Sequence, residues 1–213
     1  MAIKTFWEDP YQTSQITQVS KVDGNDIWLA STIFFAFSGG QESDHGSLGG
    51  HIVLSARKDG LEIVYTLADG HGLVAGQSVE VNIDWVRRYR LMRLHFAAEL
   101  VLELCYKSLD GVGKAGAHIA QEKARIDFVW PESIAPLLPR LAQEAQAIID
   151  ANAGIHCAFE DEITEKRYWE ITGFSRVPCG GTHVRRTGEL GTISLKRNNI
   201  GRGKERVEIY LSP

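Results

Sequence analysis

Cys179-Gly180-Gly181-Thr182-His183 sets a thiol and an imidazole four residues apart around a Gly-Gly pair, a spacing that lets both reach one ion from a short turn. Upstream, His95 and Glu99 stand at i and i+4 in a strongly helical stretch, so both side chains project from one helix face. The two segments together offer four ligands, and zinc accepts the nitrogen, sulfur and carboxylate oxygen they carry. Each half also has a plain structural reading. Cys179 and His183 could form a turn with a buried thiol, and His95 and Glu99 a helix-surface hydrogen bond of about 0.3 kcal/mol. If Glu99 is no ligand, three protein ligands and a water remain, the arrangement of a catalytic zinc, and Glu99 is placed to orient or deprotonate that water. Gly180 and Gly181 allow either a positive φ or close approach of the backbone to a ligand.

A second polar segment, Ser38-Gly39-Gly40-Gln41-Glu42-Ser43-Asp44-His45-Gly46, follows the apolar run Phe34 to Phe37. It reads as a pocket rim or a hairpin loop. The lysine of a phosphate loop is missing.

The elements that must position these groups divide into two parts. Up to about residue 84 the chain is strand-rich and punctuated by glycine: Trp28 to Phe37, Ile52 to Ala56 and Leu61 to Leu67 read as strands, with turns at Asp59-Gly60, Asp69-Gly70 and Gly76. Short strands and tight turns suggest a small β-barrel-like domain over residues 1–84. Asp84 can cap a helix from Trp85 to Leu109, with Leu91, Leu94, Ala98, Val101, Leu102 and Cys105 as its apolar stripe. A glycine-rich link, 111–116, leads to an extended stretch from His118 to Trp130. A second helix runs from Ser133 to Ile149, kinked or delayed by Pro139, and short strands return at 156–159, 168–171, 192–195 and 206–211. Segregated helices and strands make the fold α+β, with residues 85–213 as a two-layer α/β domain that carries the metal site.

The 213 residues, 44% of them apolar, suffice for a real core. No apolar run reaches the roughly 18 residues of a membrane span and no signal-peptide core opens the chain, so the expected location is the cytoplasm. Three cysteines, 105, 157 and 179, form no paired framework. A net charge of −4 argues against a generic nucleic-acid binder, yet the cations cluster. Arg185, Arg186, Lys196, Arg197, Arg202, Lys204 and Arg206 follow one half-site, and Arg87, Arg88, Arg90 and Arg93 precede the other. Solvated surface charge would explain either cluster alone; both beside candidate ligands favour a polyanionic substrate.

Nearly the whole chain resembles the freestanding alanyl-tRNA editing proteins and the editing domain of alanyl-tRNA synthetase, with a more distant likeness to the editing region of the threonyl enzyme. Thr32 through Gly46 is similar to the family's Thr-x-Phe-Tyr-x-x-Gly-Gly-Gln-x-x-Asp-x-Gly block, Arg88 through Leu102 to its helix with two histidines, and Ala124 through Phe128 to its Arg-x-Asp-Phe strand. Cys179 through Gly191 is the most specific segment. The resemblance implies a trans-acting deacylase that cleaves the ester of seryl- or glycyl-tRNA(Ala), with one zinc per chain on His95, Glu99, Cys179 and His183. It implies alanine tRNA as the partner, held by Arg185, Arg186, Lys196, Arg197, Arg202 and Lys204. Substrate contacts carry over to Thr32, Gln41, Gly180, Gly181 and Thr182, with Thr32 and Gln41 also catalytic. Glu99 departs from the family, replacing its second histidine with a harder, anionic ligand; Phe35, Ala36 and Ser38 replace its tyrosine, proline and glycine. The alternatives are a deacylase of different amino acid or tRNA specificity, a hydrolase of a small acyl or aminoacyl ester, and a non-catalytic RNA-binding or accessory protein.

Overall fold

A computed structural model of the chain describes residues 2–212. One compact unit holds Met1–Ser38 and Glu42–Tyr89, and the other holds Gly39–Gln41 and Arg90–Pro213.

In the first unit the strands are β1 (Ile3–Lys4), β2 (Ser14–Asp23), β3 (Asp26–Leu29), β4 (Ser31–Thr32), β5 (Gly46–Leu48), β6 (His51–Ile52), β7 (Ser55–Asp59), β8 (Glu62–Thr66) and β9 (Ser78–Ile83). Period-two burial is clear in β9, where Val79, Val81 and Ile83 turn inward. The main sheet runs β6-β5-β9-β2-β3-β8-β7. Its two edges, β6 and β7, are separated by Val53 and Leu54 alone, whose N–H groups donate to Gly46 (3.0 Å) and Thr66 (2.9 Å) on opposite sides of the sheet. One run of chain therefore serves both edges, and the sheet curls over a core that includes Ile27, Leu29, Phe34, Leu48, Ile63 and Tyr65.

The expected strand from Trp28 to Phe37 is cut short. The Phe34 N–H donates to Thr32 Oγ1 at 3.0 Å and the Phe35 N–H to Asp44 Oδ2 at 2.7 Å, so side chains take the hydrogen bonds that a ladder would need. Asp44 in turn forms a fully buried ion pair with Arg88, which also donates to the carbonyls of Pro10 (2.9 Å) and Ile33 (2.5 Å). Arg87 is held by Glu42 at 2.7 Å. These two arginines belong to the architecture and not to the basic surface that their sequence clustering suggests.

Helix α1 (Trp85–Ser108) begins where Asp84 Oδ1 accepts the Arg87 N–H at 3.1 Å. The expected stripe is buried, but so are Met92, Phe96, Ala97, Leu100 and Leu104, leaving a helix enclosed nearly all round. The second unit continues with β10 (Gly113–Ile119), β11 (Ala124–Val129), α2 (Leu138–Asp150), β12 (His156–Asp161), β13 (Lys166–Ile171), β14 (Ser175–Pro178), β15 (Thr192–Asn199) and β16 (Lys204–Ser212). The strands form two antiparallel sheets, β10-β11-β16-β15 and β12-β13-β14. From Gly113 the glycine-rich link is already the first half of β10, irregular between Lys114 and Gly116, and the extended stretch from His118 holds the end of β10, a turn and β11, its antiparallel partner. Pro139 delays α2: Ala135–Leu137 make a 3-10 turn before the helix starts. Gln146 ties α2 to β15, accepting from the Ile193 N–H at 3.0 Å and donating to the Gly191 carbonyl at 3.2 Å. The architecture is mixed, strand-rich and carries two α-helices among the described residues.

Candidate metal centre

Helix α1 supplies His95 and Glu99 from one face, as their spacing requires. The segment leaving β14 supplies Cys179 and His183. Cys179 Sγ lies 3.4 Å from His95 Nε2 and 3.3 Å from His183 Nε2, and donor atoms of His95, Cys179 and His183 all fall within 4.8 Å of one another. A tetrahedral zinc sets its nitrogen and sulfur ligands about 3.5 Å apart, so the spacing and the donor chemistry fit that ion. Glu99 Oε1 stands 3.4 Å from His95 Nε2 and 3.9 Å from Cys179 Sγ, while its other oxygen accepts from Trp169 Nε1 at 3.1 Å.

Gln41 enters by an unusual route. Residues 39–41 run beside β10, the Ile119 N–H donating to the Gly40 carbonyl at 2.8 Å and Gln41 bridging Ile119 in parallel. Its fully buried side chain places Oε1 against His95 Nδ1 and donates from Nε2 to Thr182 Oγ1 at 2.9 Å. A carboxamide oxygen only accepts; Nδ1 therefore carries the proton and Nε2 is left to face Cys179. Gly181 makes the approach feasible: a Cβ there would run into His95 Cε1 and lie 2.5 Å from Nδ1, whereas at Gly180 nothing lies within 4 Å. Neither glycine has a positive φ, so close approach, not a left-handed turn, is what Gly181 provides.

The charges are mutually supporting. Burial pushes the imidazole of His95 down, but the Cys179 thiolate and Glu99 outweigh it and raise the group to about 9. Burial likewise opposes His183, which Cys179 and Cys157 raise to about 10. Burial would raise Cys179, yet the two histidines bring it down to about 6. Glu99, despite burial, is held at about 2 by His95, with His183 and Trp169 adding to the effect. Without metal the centre is thus two anions facing two cations.

Thr32 lies in the first unit, enclosed, with Tyr65 donating to its hydroxyl at 2.7 Å and Phe34 N–H at 3.0 Å. Of the basic residues, Arg197 forms a two-point pair with Glu205 at 2.5 Å, and Glu205 accepts from the Ile134 N–H at 3.2 Å. Arg186 donates to the Asn152 carbonyl at 2.5 Å, and Glu189 accepts the Arg185 N–H at 2.9 Å. Lys196 lies over the Tyr210 ring, and Arg202 and Lys204 are exposed at the β15–β16 end. Sequence reasoning missed Trp169 and Cys157. They reach the centre through the β12–β13 register, which pairs them directly, and no local spacing announces that.

The family model described as "Threonyl and Alanyl tRNA synthetase second additional domain" matches residues 167–208. The alanyl-tRNA editing protein AlaX-M of Pyrococcus horikoshii is 34% identical over 216 residues, covering 99% of this chain and 98% of that protein. AlaX-M of Saccharolobus solfataricus is 30% identical over the full length of both. The alanine–tRNA ligase of Staphylothermus marinus is 35% identical over 98% of this chain but only 26% of its own length. The chain belongs to the alanyl-tRNA editing protein family.

Proposed function

We propose that the protein hydrolyses, in trans, the ester linking a wrong amino acid, serine or glycine, to alanine tRNA. The observation that carries this reading is the convergence of Cys179 on the Nε2 atoms of His95 and His183, in a chain of the editing family. When bound, zinc supplies a fixed positive charge beside the ester. The chain's own residues do the rest. Gln41 fixes the His95 ring, Trp169 fixes one oxygen of Glu99, and the other Glu99 oxygen, turned toward His95 and Cys179, orients the attacking water or serves as fourth ligand. An ester is already activated, so positioning and selection are the larger tasks.

Selection is physically awkward, because a site for alanine's methyl group cannot reject serine strongly by size. A hydrogen bond to the extra hydroxyl works in the other direction, leaving a polar group unpaired when alanine is present. Thr32 is assigned that contact. Tyr65 and Phe34 occupy its two lone pairs, so its proton remains for donation. Gly180, Gly181 and Thr182 line the substrate side, and Lys196, Arg202 and Lys204, with Arg185 and Arg186, hold the tRNA backbone. Residues 1–84 act as the barrel-like part and 85–213 as the editing part, in the cytoplasm where aminoacyl-tRNA is used; no described helix is long and apolar enough to cross a membrane.

The test is a deacylation panel of mischarged tRNAs with and without chelator. Cleavage of seryl-tRNA(Ala), abolished on chelation and restored by zinc, is expected. Binding of tRNA without turnover would identify a non-catalytic RNA-binding protein instead, and turnover of small aminoacyl esters independent of the basic residues would remove tRNA as the substrate.

A further inference from the structure

His183 has sulfur on both sides. Its Nε2 faces Cys179 at 3.3 Å, and its Nδ1 faces Cys157 Sγ, also at 3.3 Å. The two ring nitrogens point away from each other, so a metal taken by Nε2 lies beyond the ring from Cys157. Cys157 is therefore outside the ligand set, and the imidazole standing between the two sulfurs keeps them from pairing.

We propose that Cys157 is a positioning residue for His183: its sulfur accepts from Nδ1–H and so holds the ring in the tautomer and orientation that offer Nε2 to the metal. This rests on the reading of the centre as a zinc site. Gln41 Oε1 does the same for His95 Nδ1, and Trp169 Nε1 steadies Glu99. Three of the four candidate donors thus have an outer partner of their own. Such partners set ring orientation and ligand basicity, and their loss typically costs about 10- to 100-fold in metal affinity. The strand pairing fits the role, since Cys157 sits opposite Trp169 in the β12–β13 ladder and Trp169 is fully buried against Phe96 of α1, which itself packs on His183. The sulfur is held by the same rigid face that holds the ligands.

Cys157→Val fills the volume without an acceptor, and Cys157→Ser restores one. Zinc affinity by chelator competition, melting of each metal-free protein, and the absorption of the cobalt-substituted proteins separate the outcomes. The expected result is a loss of about 10-fold or more in zinc affinity for Cys157→Val, most of it recovered in Cys157→Ser, with metal-free melting close to wild type in both. The cobalt charge-transfer band should report one cysteine sulfur in wild type and Cys157→Ser alike. Equal zinc affinity in wild type and Cys157→Val overturns the proposal, as does a halved charge-transfer band in Cys157→Ser, which would make Cys157 a ligand. A loss of affinity that Cys157→Ser does not recover also overturns it. A wild-type protein that binds neither zinc nor cobalt sinks the zinc reading itself.

Discussion

Trp169 donates its indole N–H to one oxygen of Glu99 at 3.1 Å and leaves the other 3.4 Å from His95 Nε2. The Glu99 carboxylate is therefore oriented toward the centre by a residue of β13. If Glu99 contributes charge to metal binding, Glu99→Gln, which keeps an acceptor for Trp169, weakens zinc binding by about an order of magnitude. Glu99→His supplies a neutral nitrogen and should retain tight binding. Competition with a chromophoric chelator measures both; an unchanged affinity in Glu99→Gln would restrict Glu99 to holding Trp169.

Gly181 and Gly180 are neighbours with opposite tolerance. Alanine at 181 drives a methyl group into the His95 ring, and alanine at 180 meets nothing within 4 Å. Gly181→Ala should lower zinc affinity and deacylation at least about 10-fold, since a displaced ring loses both its metal geometry and its Gln41 partner. Gly180→Ala should behave as wild type in zinc titration. Similar values for the two variants would remove the close approach as the reason for the Gly-Gly pair.

Much of this centre was legible because ligands at i and i+4 declare themselves in one dimension: His95 with Glu99, and Cys179 with His183. Trp169 and Cys157 were not, because strand register delivers them, and Gln41, expected at the substrate, comes to His95 by a loop that pairs with β10. The elements show the same divide. Asp84 caps α1 as expected, whereas β2, polar along most of its length, and β9 are not among the expected strands, and the run ending at Phe37 is cut short because Thr32 and Asp44 claim its N–H groups. Arg87 and Arg88 show how charge clustering misleads, since the carboxylates that bury them lie more than forty positions away in the chain.

Proton release should accompany metal binding. Between about pH 6 and 9 the metal-free centre holds Cys179 as thiolate and both histidines protonated, so each zinc displaces about two protons. Zinc affinity should rise by about two decades per pH unit over that window, with calorimetry in buffers of different ionisation enthalpy giving the same count. The metal-free fold should be firmest near pH 6.5, at the acid end of that window, because above it two histidines lose their contribution while one cysteine gains. The raised histidines stabilise fully below their ordinary 6.5 and lose this as pH rises through about 9 to 10; the lowered Cys179 stabilises above its ordinary 9.0 and loses this as pH falls through about 6. A release near zero would mean that the histidines are neutral before metal arrives.

Thr32 carries a structural duty beside its proposed selective one. Thr32→Val leaves the buried Tyr65 hydroxyl and Phe34 N–H without their acceptor, at a cost of about 1–3 kcal/mol in stability. Thr32→Ser keeps the oxygen. Loss of serine-over-alanine preference in the valine variant with retention in the serine variant, both assayed well below their melting temperatures, is the expected pattern; undiminished preference in Thr32→Val would take Thr32 out of substrate selection.

The basic residues after His183 should separate into two groups under salt. Arg197 is committed to Glu205, which in turn accepts the Ile134 N–H ahead of α2, so Arg197→Ala should lower the melting temperature and leave the salt dependence of tRNA binding unchanged. Arg202 and Lys204 are exposed where β15 turns into β16. Their replacement by alanine should leave melting unchanged while reducing the slope of log affinity against log salt by about one unit for each phosphate no longer neutralised. The reverse assignment, a slope that falls with Arg197→Ala and not with the exposed pair, would place the RNA-facing surface on the Arg197 side of the sheet.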